Sequence, residues 1–342
     1  MTIKTILTVA ISASALLACN GGGNNQNSTP VPTPPPAPAP APTPYISTYS
    51  YLVTPYGAGE RIQMNPDGTF GVSWGGDILF DLPTSIVFND GFAYVVNSAV
   101  AGSFIINSVS RCNTDGPMHT LAECKTVANG FNWPYGIAFN KEYAYITNIN
   151  DSYTSLNGGY VSKCKVDKLN ESLEECTTTG IGYSFPRNIT FFESYAYIAN
   201  SNNSFSYPNT AISRCQVNES GNLNQCTNIL TSINQLSGIT VYYGYLYYTS
   251  IVNNSTGEGK ITSCQILRDG SLNTCKTAVS NLYAPINIAF NNSHAYIITN
   301  KNNLYPSIYI CDVNIDQTLS NCSGFSSSDQ YQAIAFKEII GS

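Results

Sequence analysis

The sequence predicts an all-β fold, a six-bladed β-propeller with four antiparallel strands per blade, closed by strands from both chain ends. Three observations support this prediction. One apolar phrase returns six times at intervals of roughly fifty residues, a period that suits four short strands per propeller blade. A pair of cysteines accompanies each complete copy of the phrase. The two chain ends each hold part of one further copy.

The first two strands of each repeat come from the apolar phrase. In the clearest copy, residues 134–139 form the first run and residues 144–148, Ala-Tyr-Ile-Thr-Asn, form the second. Both runs have the length of ordinary strands. The six first runs occupy residues 85–88, 136–139, 188–191, 238–241, 287–290 and 333–336. Six first strands indicate six blades.

The third and fourth strands carry the cysteines. Residues 161–166, for example, alternate apolar and polar side chains, as a strand with one solvated face requires. A turn rich in Asn, Asp and Gly comes next, as at residues 218–221, because these residues accept positive φ at little cost. The fourth strand begins with Leu and reaches a second cysteine three positions later. The pattern predicts an outer hairpin in every blade.

The chain ends are expected to share one blade. Residues 50–54 align with the second strand, and residues 61–68 align with residues 214–221, so the N-terminal stretch supplies strands two to four. Residues 333–336 supply the missing first strand. Closing the ring in this way hides sheet edges that would otherwise invite aggregation.

The cysteines predict disulfides and a compartment. Of 11 cysteines, ten form five pairs that are eleven or twelve positions apart, on facing strands of a hairpin. The predicted pairs are Cys112–Cys124, Cys164–Cys176, Cys215–Cys226, Cys264–Cys275 and Cys311–Cys322. Metal binding is the alternative, but the spacing is too long for a Cys-x-x-Cys site and no His accompanies it. Disulfides require an oxidising compartment.

The N-terminus carries an export signal that is too short to span a membrane. A basic start and a small apolar stretch end in Leu16-Leu17-Ala18-Cys19, which resembles the lipobox of bacterial lipoproteins. The resemblance implies removal of residues 1–18, followed by thioether lipidation and N-acylation of Cys19. Asn20, in place of an Asp that would imply inner-membrane retention, implies the outer membrane, on either its periplasmic or its exposed side. An ordinary secretory signal is the alternative.

The amino-acid composition predicts two further segments of the chain. Residues 19–46 are rich in Gly, Asn and Pro and are expected to form a tether with polyproline II character. Residues 47–342 are expected to form the propeller. The net charge is −6 and only 11% of residues are charged, so nucleic acid, which requires clustered Lys and Arg, is not an expected partner.

The residues that could act in catalysis are better explained by structural roles. His294 occupies a position that is aromatic in the other repeats, and His119 lies alone in a hairpin turn. Nucleophilic catalysis needs a His held beside a nucleophile, and neither His fits. Asn97, Asn148 and Asn200 recur at the end of the second strand, where capping of backbone groups is the simplest role. We therefore predict no catalytic residue, metal or cofactor.

The loops before the first strands and after the second strands should emerge on one face. They are built from Asn, Ser, Tyr and Gly, a composition typical of adaptable recognition loops, although simple solvation would also explain it. Arg187 is expected either to hold an anionic ligand group or to pair with Glu193. The expected ligand-binding residues on this face are Tyr135, Tyr153, Arg187, Asn188, Tyr207 and Asn287.

The repeat also resembles known propeller classes. The phrase Pro-x-x-Ile-x-Phe followed by Ala-Tyr-Ile-Thr-Asn, clearest in residues 134–148, is similar to the Tyr-Val-Thr-Asn and NHL repeats. Those classes include scaffolds, binding proteins and a few lactonases or lyases. Because these classes do not single out one function, the prediction rests on the loop-rich face and the lipobox: a lipid-anchored binding or scaffolding module of the cell envelope that recognises a protein or glycan partner. A metal-assisted lactonase-like hydrolase and a purely structural envelope protein are the alternatives.

Overall fold

A computed structural model describes residues 45–78, 80–101, 104–114, 120–150, 158–201, 210–300 and 307–341. Every helix or strand assigned in these residues is a β-strand, and the 24 strands form six four-stranded sheets. Neighbouring strands in each sheet are antiparallel. The predicted six-bladed propeller is confirmed.

The blades follow the chain in order. Blade 1 contains β1 (Tyr45–Val53), β2 (Ala58–Met64) and β3 (Phe70–Ile78). Blade 2 contains β4 (Pro83–Asn89), β5 (Phe92–Ala101), β6 (Phe104–Asn113) and β7 (Ala122–Asn129). Blade 3 contains β8 (Pro134–Asn140), β9 (Tyr143–Asn148), β10 (Gly159–Asp167) and β11 (Ser172–Tyr183).

The second half of the ring repeats this arrangement. Blade 4 contains β12 (Pro186–Phe192), β13 (Tyr195–Asn200), β14 (Ala211–Val217) and β15 (Leu223–Thr231). Blade 5 contains β16 (Ile239–Tyr242), β17 (Tyr245–Asn253), β18 (Glu258–Ile266) and β19 (Leu272–Tyr283). Blade 6 contains β20 (Pro285–Asn291), β21 (His294–Thr299), β22 (Ile308–Val313) and β23 (Leu319–Phe325). The last strand, β24 (Ala333–Gly341), returns to blade 1.

The two chain ends close the ring, as predicted. Strand β24 pairs with β1 along the whole of β1, from Tyr45 opposite Gly341 to Val53 opposite Ala333. The resulting sheet has the order β24-β1-β2-β3, so its innermost strand comes from the C-terminus. Blade 1 therefore has the same four-stranded form as the blades made from continuous chain.

The core lies between the blades, in six clusters that each join two neighbours. The cluster between blades 2 and 3, for example, packs Tyr94 and Val96 against Ile137 and Ile146. The first strand of every blade contributes one isoleucine to this core, at most 5% exposed. These residues are Ile86, Ile137, Ile189, Ile239, Ile288 and Ile334. Because each cluster needs both neighbours, no blade buries its apolar faces alone.

In blades 3, 4 and 6, the tyrosine of the Ala-Tyr-Ile phrase joins its blade to the next one. The Tyr145 hydroxyl of blade 3 donates to the Gly221 carbonyl in the outer turn of blade 4, at 2.6 Å. Tyr197 makes the same bond to Gly270 in blade 5, at 2.8 Å, and Tyr296 to Gly68 in blade 1, at 2.7 Å. Burial raises the pKa of these three tyrosines well above the ordinary value, so the hydroxyls remain donors.

All five predicted disulfides form, with Cα atoms 4.0 to 4.1 Å apart. Unlike a regular facing pair, each bridge lies where the register between third and fourth strands shifts by one residue. The residue before each second cysteine has a positive φ of 47° to 49°. These residues are Glu123, Glu175, Gln225, Thr274 and Asn321. The disulfides are thus built into β-bulges, which twist the outer edge of each blade.

The disulfides also indicate location. Five intact bridges in one domain are typical of proteins that fold in an oxidising, extracytoplasmic compartment. Within the part of the chain that the structure describes, no helix has the length and apolar character needed to cross a membrane.

Replacing Tyr145 with Phe tests the bond between blades. The change removes the donor to Gly221 and leaves a buried carbonyl without its partner, so we expect a loss of about 1–3 kcal/mol in the free energy of unfolding. Urea unfolding followed by tyrosine and tryptophan fluorescence measures this. Tyr243→Phe is the control, because Tyr243 is 80% exposed. Equal stability of both variants would contradict the proposed role of the hydroxyl.

Candidate binding site at the channel mouth

The loops before the first strands and after the second strands meet on one face, as predicted, and we call this face the mouth. Backbone hydrogen bonds join the two sets of loops directly. Ser98 N donates to Leu82 O at 3.2 Å, Ile149 N to Trp133 O at 3.0 Å, and Ser201 N to Phe185 O at 3.1 Å. The outer hairpin turns lie on the opposite face, which we call the turn face.

A β-bulge opens the first strand in four of the six blades. The register shifts between Pro83 and Ser85, and at the equivalent points of β8, β12 and β20. A bulge redirects the side chain of the extra residue, and bulges are frequent next to functional sites. Here it redirects one residue per blade at the mouth, among them Tyr135 and Arg187.

The residue before each of these bulges has a left-handed backbone conformation. Leu82, Trp133, Phe185 and Ala284 have φ between 37° and 52°, and each precedes a proline. Such a conformation is unfavourable for bulky residues and persists only where the surroundings hold it. The carbonyl bonds across the mouth supply that support. As a result, Leu82, Trp133 and Phe185 all line the mouth.

The residue type at this position of the first strand differs in every blade. The six residues are Thr84, Tyr135, Arg187, Ser237, Ile286 and Gln332. Two positions further along the same strands, isoleucine stands in all six blades and is buried. Repeats within one chain face the same folding requirement at equivalent positions, so the constant isoleucine reflects packing. The variable position lines one mouth cavity in four blades, through Thr84, Tyr135, Arg187 and Gln332.

A cavity of ≈ 270 Å³ lies at the mouth across blades 1 to 4. Its apolar wall comes from Pro55, Leu82, Pro83, Trp133, Ile149 and Phe185. Its polar groups come from Thr84, Ser98, Tyr135, Asn150, Arg187 and Gln332. A concave, mainly apolar site with a few convergent polar groups is the common form of a ligand pocket.

Arg187 and Tyr135 form the charged side of this cavity. The Arg187 Nη1 atom donates to the Tyr135 hydroxyl at 3.2 Å, and Arg187 Cζ lies 5.1 Å from the Tyr135 ring centre. Both side chains are half-buried. The alternative of a pair with Glu193 is wrong, because Glu193 lies beyond the far end of β12. Strand β12 runs from Pro186 to Phe192, so almost its whole length separates the two residues.

Thr147 on the second strand of blade 3 holds the backbone beneath this pair. Its hydroxyl accepts from Gly136 N at 2.8 Å and donates to the Arg187 carbonyl at 3.2 Å. Gly136 is needed here, because a Cβ atom would lie 2.6 Å from the Arg187 carbonyl oxygen. Blades 3 and 4 therefore approach closely at the point where Tyr135 and Arg187 enter the mouth.

Two further expected ligand residues, Asn188 and Asn287, are not among the residues that line this cavity. Asn188 and Asn287 line the central channel instead, a space of ≈ 360 Å³ bounded by the six first strands. Asn188 Oδ1 accepts from Ile189 N at 2.8 Å, and Asn287 Nδ2 donates to Gln332 O at 3.4 Å. Tyr153 and Tyr207 lie outside the described residues, as do Cys19 and His119.

The recurrent asparagines at the second-strand ends are structural, as expected. Asn97, Asn148 and Asn200 are at most 4% exposed. Each donates through Nδ2 to a serine of the third strand, to Ser110 at 2.9 Å, Ser162 at 3.0 Å and Ser213 at 2.6 Å respectively. They brace neighbouring strands inside the blade. Asn148 also makes the expected bond to a backbone group, because its Oδ1 accepts from Asn132 N at 3.0 Å.

Other titratable groups form ion pairs outside the cavity. Arg111 and Lys125 both contact Glu171. His294 Nε2 lies 3.4 Å from Asp312 Oδ1 at the rim of blade 6, on the turn face. Among the described residues, no three His, Cys, Asp or Glu side chains come together in a way that could hold a metal ion.

Sequence analysis missed the apolar wall of Leu82, Trp133 and Phe185. A signal that could have found it is the bulky residue that precedes three of the four first-strand prolines.

Comparisons with known proteins identify similar folds among solved structures. No family model matches the sequence. No curated protein matches it either. Among solved structures, a candidate 6-phosphogluconolactonase from Bacteroides fragilis is 11% identical with a TM-score of 0.56, covering 85% of this chain and 98% of that one.

Two further solved structures show the same architecture. A candidate 6-phosphogluconolactonase from Bacteroides uniformis is 13% identical with a TM-score of 0.55, covering 85% of this chain and 99% of that one. A glucose dehydrogenase is 10% identical with a TM-score of 0.53, covering 72% of this chain and 87% of that one. At these identities the likeness shows a shared β-propeller fold.

Replacing Gly136 with Ala tests the close approach of blades 3 and 4. The added methyl group meets a backbone oxygen, so we expect a loss of about 1–3 kcal/mol in the free energy of unfolding. Urea unfolding measures the loss. Gly75→Ala is the matched control, because a Cβ atom there meets nothing within 4 Å. Unchanged stability of the Gly136 variant would contradict the described packing.

Proposed function

We propose that this protein is a lipid-anchored binding module of the bacterial outer membrane that captures a protein or glycan partner through its mouth face. Cys19 carries the lipid, residues 19–46 form the tether, and the ring presents the mouth cavity. The five disulfides support export to an oxidising compartment. The lipobox resemblance of residues 16–19 supports the anchor.

The observation that carries the proposal is the contrast between two positions of the first strand. The buried isoleucine is the same in all six blades, whereas the mouth position varies. On the side of the ring where this position holds Tyr135 and Arg187, a cavity opens with Trp133 in its wall. Tyr, Trp and Arg are the residues that most often dominate binding energy at interfaces. The variable position and the cavity thus coincide.

A lactonase-like hydrolase is the second candidate. Two of the structural neighbours are candidate 6-phosphogluconolactonases, and Asn188 and Asn287 present amide groups to the central channel from equivalent positions of blades 4 and 6. Amide oxygens are suitable ligands for a hard divalent cation. Hydrolysis of a sugar lactone that depends on a divalent cation and is lost on Asn188→Ala would favour this candidate.

A double variant, Tyr135→Ala with Arg187→Ala, tests the binding proposal. We expect recovery of partners from envelope extracts to fall at least about tenfold, because truncating such anchors typically costs more than 1 kcal/mol of binding. Thermal stability should change by only about 1 kcal/mol or less, because both side chains are only half-buried, at the mouth ends of their strands.

The matched control for this experiment places the same changes on the turn face. Tyr243→Ala with Arg268→Ala removes one tyrosine and one arginine that are both exposed. Partner recovery from the control should equal that of the unmodified protein. Equal recovery from all three proteins, or a loss only in the control, would contradict binding through the mouth.

Replacing Cys19 with Ala tests the anchor. The change removes the only cysteine that could accept a diacylglycerol group, so palmitate labelling should disappear and the protein should become soluble without detergent. Asn20→Ala is the control and should remain labelled and membrane-bound. A Cys19 variant that stays in the membrane fraction would overturn the lipoprotein assignment.

A further inference from the structure

We propose that the mouth cavity binds one acidic sugar residue of a glycan, a pyranose ring that carries a carboxylate. This inference rests on the proposed binding function and names its ligand class. It follows from the charge, the walls, the backbone bonding and the size of the cavity.

The charge of the cavity wall favours an anion. Among the described residues that line the cavity, Arg187 is the one that carries a charge, and these residues include no Asp or Glu. Its guanidinium is oriented by the Tyr135 hydroxyl, which accepts from Nη1 at 3.2 Å. A hydroxyl held beside a guanidinium offers a second polar contact for a bound carboxylate. Charge-assisted hydrogen bonds of this kind are shorter and stronger than neutral ones.

The walls favour a ring that has one apolar face. Trp133 and Phe185 stand in the cavity because their left-handed backbone turns them toward the mouth. A pyranose presents C–H groups on one face and hydroxyl groups around its edge. Thr84, Ser98 and Gln332 supply hydroxyl and amide groups beside the aromatic wall, where these hydroxyls would lie.

The backbone at the mouth argues against an extended peptide. A peptide that adds to a sheet needs a strand edge with unpaired N–H and C=O groups. Here the N–H groups of Ser98, Ile149 and Ser201 already donate to carbonyls across the mouth. Recognition must therefore come from side chains, which suits a compact residue better than a strand.

The volume fits one sugar. The cavity of ≈ 270 Å³ is slightly smaller than the pockets that enclose most drug-sized ligands, and a single sugar residue is itself a smaller ligand than these. The rest of a glycan chain would extend over the neighbouring loops.

Three small probes distinguish the ligand classes. Methyl β-glucuronide and methyl β-glucoside differ only in carrying a carboxylate or a hydroxymethyl group, and N-acetyl-leucine carries a carboxylate on an apolar peptide-like unit. The chain contains two tryptophans, so a Trp74→Phe variant of the full chain leaves Trp133 as the only reporter of the cavity. Fluorescence titration of this variant measures binding, and calorimetry on the unmodified chain provides a second measurement should the variant fold poorly.

We expect the glucuronide to bind at least about tenfold more tightly than the glucoside, as one charge-assisted contact would give. Arg187→Gln should abolish this preference, whereas Arg268→Gln on the turn face should preserve it. Equal binding of the two glycosides, or no effect of Arg187→Gln, would overturn the inference. Binding of N-acetyl-leucine as tight as that of the glucuronide would overturn it in favour of a peptide carboxylate.

The outcome is separable from that of the proposed function. If the Tyr135 and Arg187 double variant loses its partners but the glycosides bind equally, the mouth still binds and only the acidic-sugar inference fails. If the double variant keeps all its partners and the glucuronide does not bind, both fail.

Discussion

The pairing of β24 with β1 is the constraint on which the rest of the structure depends. Each blade has apolar side chains on both faces, and each of the six core clusters is shared by two blades. If the ring were open, the clusters on both sides of blade 1 would lose a wall, because β24 contributes Ala333 to one and Ile334 to the other. Burial of apolar surface stabilises by about 25 cal/mol for each Å². Closure therefore joins the blades, none of which buries its apolar faces alone, into one ring that folds cooperatively.

The closed ring also allows local departures from regular structure at the mouth. Four first strands begin with a bulge, and the residues before these bulges hold an unfavourable backbone conformation. Such conformations persist where surrounding bonds over-determine them. Here each of these residues is held by a hydrogen bond from its carbonyl to the neighbouring loop. The candidate binding site is therefore formed by these local deviations, and the regular repeat fixes where they lie.

Much of the fold was predictable because it depends on the spacing of repeated residues along the sequence. The period of the apolar phrase gave the blade number, and partial repeats at the two ends gave the closure. The separation of Cys215 and Cys226 gave their pairing, although not the bulge at Gln225, because a left-handed glutamine has no sequence signature. Tyr135 and Arg187 were recognised as mouth residues because loop positions follow from strand direction.

The details of the site were less predictable because they depend on backbone geometry. Trp133 and Phe185 were not expected in the cavity, since a positive φ is anticipated for glycine and not for aromatic residues. Asn188 was expected at the mouth, but strand alternation places it in the channel, one position beyond Arg187. The pairing of Arg187 with Glu193 failed for the same reason, because β12 separates the two residues along its whole length.

The central claim is that the mouth face, and not the turn face, contacts the partner in the envelope. A photo-crosslinking amino acid placed at position 135 in one strain and at position 243 in another tests it in living cells. Tyr135 lines the mouth cavity, and Tyr243 is 80% exposed on the turn face. We predict covalent adducts of higher mass from position 135 and none from position 243. Adducts from position 243 alone, or from neither position, would contradict the account.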